Sequence, residues 1–391
     1  QALACSSAAG GLRMVCIGFV PELTSEAANR AALGAGAKVV GVFSYRLNRS
    51  ELAKVEALKP DILLLTGGTD GGDTATIVHN ARMLANTGDV VSCIIVAGNK
   101  SARDDIEEAF ADTAKTVLYA NNVMPEIGRL DLTECNREIR DLFMRNITVA
   151  KGIGKAREII GDVIMPTPSA VLEAAKLVAN GPGGKGGFGE LVVVDVGGAT
   201  TDVHSIAKGN PSRPDTVTIG LPEPYEKRTV EGDLGLKHSL ESLCEVMSGQ
   251  DLPPYFNSAV ESFRAGNLPV SADELDCHRL LTACTVETAM DRHAGRLEEV
   301  YGPAGRALVQ RGKDLTKVGT VIGTGGPIVF SPHPKDVLSG VVYNVRKPGI
   351  LKPESPRFYL DAGYVLYSAG LLARDDPALA FRLAEKYVKG I

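Results

Sequence analysis

Residues 191–206 read LVVVDVGGATTDVHSI, and the order of residue types in that stretch decides how the chain is to be read. Apolar and β-branched residues run into Asp195; Gly197 and Gly198 follow, then Thr200, Thr201 and Asp202, before the apolar positions resume. This is the pattern of a strand, a glycine turn and a returning strand. Glycine amides and threonine hydroxyls at such a tip suit the oxygens of a nucleotide phosphate. Asp195, at the strand end, suits a Mg²⁺ ion held through water, or the orienting of an attacking water, because hard cations take carboxylate and water oxygens. The same residues also spell an ordinary hairpin whose Gly-Gly turn serves geometry alone.

A second glycine cluster weighs against the plain hairpin. VGTVIGTGGPIVFSP, residues 318–332, is another apolar strand, ending in Gly323, Thr324, Gly325 and Gly326. Missing β-carbons there would let a flat adenine or ribose lie against the backbone. Between the two clusters, residues 216–243 read as a strand pair and a helix entered at Glu231, Gly232 and Asp233. Asp233 suits either a ligand role or a helix N-cap.

These motifs resemble the superfamily that contains actin, the sugar and acetate kinases and the heat-shock chaperones of the seventy-kilodalton class. DVGGATTDV is similar to its second phosphate loop and GTGGP to its adenosine loop. The resemblance implies an α/β fold with an actin-like ATPase (ribonuclease H-like) core that binds ATP and Mg²⁺. In it Asp195 is the catalytic and metal-binding acid, Gly197, Gly198, Thr200 and Thr201 hold phosphate, and Asp202 braces the loop. Gly323, Thr324, Gly325 and Gly326 bracket adenosine. A closer resemblance spans nearly the whole chain. LACSSAAGGLRMVCIG, DILLLTGGTDGGDTATIVHNARMLA, IIVAGNKSARDDIEEAF, TVEGDLG and GTGGPIVFSPHP, together with the 195–205 loop, resemble the glutamate mutase accessory family called GlmL or MutL. The DNA mismatch repair proteins of the same name are a different group. The resemblance implies an ATP-dependent, chaperone-like reactivating helper of an adenosylcobalamin-dependent mutase.

One part of the superfamily pattern is not found. An Asp-x-Gly-x-Thr phosphate loop is expected near the N-terminus, and the chain opens at Gln1 in what reads as mid-protein sequence. A preceding segment is therefore expected, and without that loop ATP affinity and hydrolysis are expected to be weak. No Asp-x-His-x-x-Gly motif is present, so cobalamin need not bind this chain.

With 44% hydrophobic residues, 23% charged residues and a net charge of −5 over 391 residues, the composition is that of a large globular protein of two or three domains. Mild acidity argues against nucleic acid as a partner. No apolar run approaches a membrane span and no secretory leader opens the chain, so a cytoplasmic location is expected. Seven scattered cysteines without a C-x-x-C pair read as free thiols. Cys277 and Cys284, seven apart in a helical pattern, read as core rather than zinc ligands.

Four segments are expected. Residues 1–21 read as the remnant of an N-terminal ATPase half, and 22–131 as a doubly wound Rossmann-like or flavodoxin-like α/β unit. Residues 132–190 read as a helical connector closed by the glycine-rich GPGGKGGFGE, and 191–391 as an actin-like half with one long helix over 272–302. In the α/β unit the loop TGGTDGGD, residues 66–73, falls at a strand end. It suits phosphate or partner contact, or a tight turn capped by Asp73. His79, Asn99 and Lys100 accompany it in the same motifs. Two other classes fit the superfamily: a small-molecule kinase, for which no substrate-side carboxylate is apparent, and a non-hydrolysing protein clamped by nucleotide.

Overall fold

The computed structural model describes the chain apart from residues 1–2, 7–12, 36, 89–90, 92, 150–162, 250 and 303–304. Parts of the N-terminal LACSSAAGG motif and of the expected connector thus lie outside the described residues. The chain divides into two compact units, Gln1–Ser169 with Gly220–Pro222, and Ala170–Ile219 with Glu223–Ile391.

In the first unit, β1 (Ala4–Ser6) forms a short parallel pair with β7 (Val163–Pro166). The main sheet holds β2 (Arg13–Ile17), β3 (Lys38–Phe43), β4 (Ile62–Leu65), β5 (Cys93–Val96) and β6 (Thr116–Tyr119), all parallel, in the order β3-β2-β4-β5-β6. That is the flavodoxin-like order among doubly wound sheets. The strand Arg13–Ile17, expected within an N-terminal remnant, lies inside this sheet between β3 and β4, so the α/β unit starts ahead of residue 22. Strands β2 and β4 bury nearly every residue because both faces are covered. Met14, Cys16, Ile62 and Leu64 pack with Ala27, Ala28, Ala31 and Ala32 of the helix Glu26–Gly34 on one face. Val15, Ile17, Leu63 and Leu65 pack with residues of the helices Ala75–Ala85 and Arg103–Phe110 on the other.

The second unit is built on β8 (Leu191–Val196), β9 (Thr201–Ile206), β11 (Glu226–Glu231), β14 (Thr320–Thr324), β15 (Arg357–Asp361) and β16 (Val388–Gly390), in the order β11-β9-β8-β14-β15-β16. β8 and β9 form an antiparallel hairpin, while β14 runs parallel to β8, and β15 to β14. One face packs on the helices Thr167–Asn180, Leu366–Leu372 and Pro377–Tyr387. The helix Thr167–Asn180, expected in the connector, therefore contributes Val171, Ala174, Ala175 and Val178 to this core. The other face packs chiefly on the helix Ala272–His293.

That helix is shorter than the expected 272–302. It ends at Ala294, whose backbone is extended, and Arg296–Gly302 is instead β12, paired antiparallel with β13 (Gly305–Arg311); β10 (Thr216–Ile219) adds parallel to β13. The physical reason sits at Gly295, where a β-carbon would lie 2.5 Å from the carbonyl oxygen of Lys313, so the chain passes too close to a neighbour for another helical turn. Val300 and Tyr301 in the LEEVY stretch are residue types that favour a strand. At the other end, Ser271 and Glu274 form a reciprocal capping box.

Candidate functional site

Strand register brings the two glycine clusters to one edge. Thr324 is opposite Asp195, Asp195 is opposite Asp202, and Gly323 is opposite Leu360, which sets Asp361 beside Thr324. Cross-strand partners share a face, so Asp202, Asp195, Thr324 and Asp361 form one row across the carboxyl ends of β8, β14 and β15. Gly325 turns away from this row with φ +87°, and a β-carbon on it would lie 2.2 Å from the Val196 carbonyl and 2.7 Å from the Asp195 carboxylate. Only glycine permits that backbone so close to the neighbouring strand.

The row is electrostatically crowded. Burial first, then Asp202 and Asp361, push the Asp195 carboxyl up to about 7, against the opposing influence of Arg228. Asp202 accepts from Arg228 Nε at 2.8 Å and pairs with its Nη2 at 2.6 Å, both groups almost fully buried. Asp361 accepts from the Thr324 hydroxyl at 3.0 Å and from the amides of Val365 and Leu366 at 2.9 and 3.0 Å, and so opens the helix Leu366–Leu372. One register step below, His204 is fully buried and neither ring nitrogen has a hydrogen-bond partner among the described residues. Burial, and after it Arg228, hold its pKa well below the usual histidine range.

The hairpin tip is clasped from one side. Gly197 N donates to Thr200 O at 2.9 Å and closes the turn, Leu236 N donates to Gly197 O at 3.2 Å, and Lys237 and His238 amides both donate to Gly198 O at 2.8 Å. Gly235 permits this clasp, since a β-carbon there would lie 2.3 Å from the Ala199 carbonyl carbon. Gly198 is exposed, and exposed Lys237 lies beside it.

The expected site residues fall into two groups. Gly198, Thr200 and Gly326 keep room for a ligand: Gly198 is exposed, Thr200 is half-buried with its hydroxyl on Asp202 at 3.3 Å, and a β-carbon on Gly326 would meet Phe330 at 3.9 Å, while Asp195 itself is half-buried. Others are spent inside the protein. The Thr201 hydroxyl donates to Leu234 O at 2.6 Å and the Thr324 hydroxyl to Asp361, both buried. The missing β-carbon of Gly323 is filled by Ile328 and Leu338, so its smallness serves packing. Asp233 is no helix N-cap: its carboxylate accepts both Arg292 Nη atoms at 2.7 and 2.9 Å, and the helix begins only at Leu240. Arg228, Lys237 and Asp361 were not singled out from sequence. Lys237 had a signal in its place just after the EGDLG element, whereas nothing local marks Arg228 or Asp361.

In the first unit the TGGTDGGD loop is held rigidly. Asn99 Oδ1 accepts from Gly71 N and Ser101 N, and its amide donates to Gly72 O and Asp73 O at 3.1 and 3.2 Å. Asn122 donates to Gly68 O and to Asp70. Asp73 caps the following helix through Thr76 N, while His79 sits away from the loop, against Leu47 O at 3.0 Å. Among the described residues no three His, Cys, Asp or Glu side chains are placed to hold a metal ion, and no helix is long and apolar enough to cross a membrane.

Fold and site together define a two-unit α/β protein whose second unit gathers two glycine turns and three carboxylates at one strand edge. The model of the MutL protein family matches residues 1–388, and the protein MutL of Clostridium tetanomorphum is 45% identical over 99% of this chain and 85% of its own length. The chain belongs to the MutL protein family, in agreement with the resemblance read from its sequence.

Proposed function

We propose that the chain is an ATP-binding, ATP-hydrolysing accessory protein that serves an adenosylcobalamin-dependent mutase such as glutamate mutase. The observation that carries the nucleotide half of this reading is the contact of Gly325 with Asp195: two glycine turns far apart in sequence end on adjacent strands with a carboxylate between them. A glycine hairpin beside a second glycine turn on a neighbouring parallel strand also supports an actin-like core for the second unit. The mutase half rests on family membership.

The donor set fits a Mg²⁺–phosphate ligand. Mg²⁺ keeps several waters and takes one or two carboxylates plus substrate phosphates, so a single acid at the site suffices. The carboxylates of Asp202 and Asp361 disfavour the charge on Asp195, which a divalent cation relieves. When bound, that ion supplies charge neutralisation for phosphoryl transfer. Within the chain, Asp195 orients the attacking water, Gly198 and Thr200 receive phosphate oxygens, Lys237 offsets their charge, and Gly326 leaves space for the nucleoside. Arg228 and Thr324 hold the flanking acids in place. Phosphate release then resets the protein for its partner.

The test is calorimetric titration of MgATP, with turnover measured with and without purified mutase. Binding that is lost in Asp195→Ala and turnover that rises on adding mutase are expected. Turnover requiring a sugar or organic acid instead identifies a kinase, and binding without turnover identifies a clamp.

A further inference from the structure

We propose that the cleft at the carboxyl edge of the first unit's sheet binds a small zwitterion of the α-amino acid class. The cleft, about 430 Å³, opens beyond the ends of β5 and β6 and beside the loop after β4. That is within the range of small-molecule sites, and carboxyl ends of doubly wound sheets are where such ligands gather. Val96 and Ile106, both buried, supply an apolar floor. Asn99 and Asn122 fasten the loop that forms one wall, so the cleft is preorganised.

The polar lining selects the class. A lone anion finds the nearby amide donors taken, since Asp70 accepts from Lys100 N at 3.2 Å and Glu134 from Asn121 N at 2.7 Å. A lone cation meets Lys100 and Arg103, and an uncharged apolar molecule would cover charges without pairing them. A zwitterion satisfies both signs. Arg103 lies on the Tyr119 ring, 4.4 Å from its centroid, and its Nε donates to Glu107 at 2.9 Å, an exposed pair that a ligand carboxylate exchanges at little cost. The Lys100–Asp70 pair, at 3.7 Å and open to solvent, is easily exchanged for a ligand carboxylate. Asp131, also in the lining, takes the ammonium group.

The experiment is calorimetric titration of the full chain with L-alanine, L-leucine and L-glutamate, against propionate, propylamine and inorganic phosphate. At least one amino acid is expected to bind, and Arg103→Gln and Asp131→Asn each to weaken it about tenfold or more, a change of about 1.4 kcal/mol. Arg103 is exposed and Asp131 half-buried, and an unchanged unfolding temperature would establish that the variants fold. Phosphate, propionate or propylamine binding as tightly as the amino acids would overturn the proposal. So would no amino acid binding at millimolar concentration, or variants that bind like the parent. Nucleotide is absent throughout, so the result is independent of the ATP reading.

Discussion

The two central sheets end differently at their carboxyl edges. In the first unit the strand ends open into a cleft whose charged groups are mostly exposed and paired with near neighbours, such as Arg129 with Glu126. In the second, the acids lie in register across strands, are largely removed from water, and are held by buried partners. Exposed charges exchange partners at little cost, whereas buried ones need specific ones. The first edge is therefore suited to admitting a ligand with its own charges, and the second to holding a fixed charge arrangement against one.

The comparison breaks most sharply at Arg228. Arg228→Met leaves the Asp202 carboxylate buried and unpaired, and a loss of about 3–5 kcal/mol in denaturant-measured stability is expected. Gly325→Val, which combines a left-handed backbone with a clash on β8, is expected to cost about 3 kcal/mol or more and to abolish nucleotide binding. Gly71→Ala in the first unit's loop, with φ +77° but open space around it, costs only about 1–2 kcal/mol. If the two glycine variants were equal, close approach at the second edge would not matter.

A further effect separates the edges by pH. Asp195 titrates at about 7 in the fold and at about 4 when unfolded, so the folded state holds more protons between those values. Stability then falls as pH rises from about 4 to about 7, and Asp195→Asn removes that fall. A parent protein whose stability rose over that interval, with the variant unchanged, would show that Asp195 is not crowded as described. The smallest effect belongs to the first edge: Glu126→Gln, at an exposed ion pair, is expected to change stability by no more than about 0.5 kcal/mol.

Much of the architecture was legible in one dimension. Strands such as ILLL and CIIV are short apolar runs, as parallel strands covered on both faces must be, and each appears where its pattern places it. The break at Asp376-Pro377 was likewise local: proline cannot continue a helix, and Asp376 caps the next one through Leu379 N. The over-long helix reading failed at Gly295 because what ends the helix is Lys313, a residue distant in sequence.

For the site, residue types alone determined that Asp195 ends a strand, that glycines follow it, and that a second glycine turn lies downstream, because strand periodicity and turn chemistry are local properties. Only the folded sheet decided which of those residues remain available. Register set Thr324 beside Asp195 and Asp361 beside Thr324, paired Arg228 with Asp202, and turned Thr201 and Gly323 inward, since hydrogen bonding and burial depend on neighbours brought together across strands.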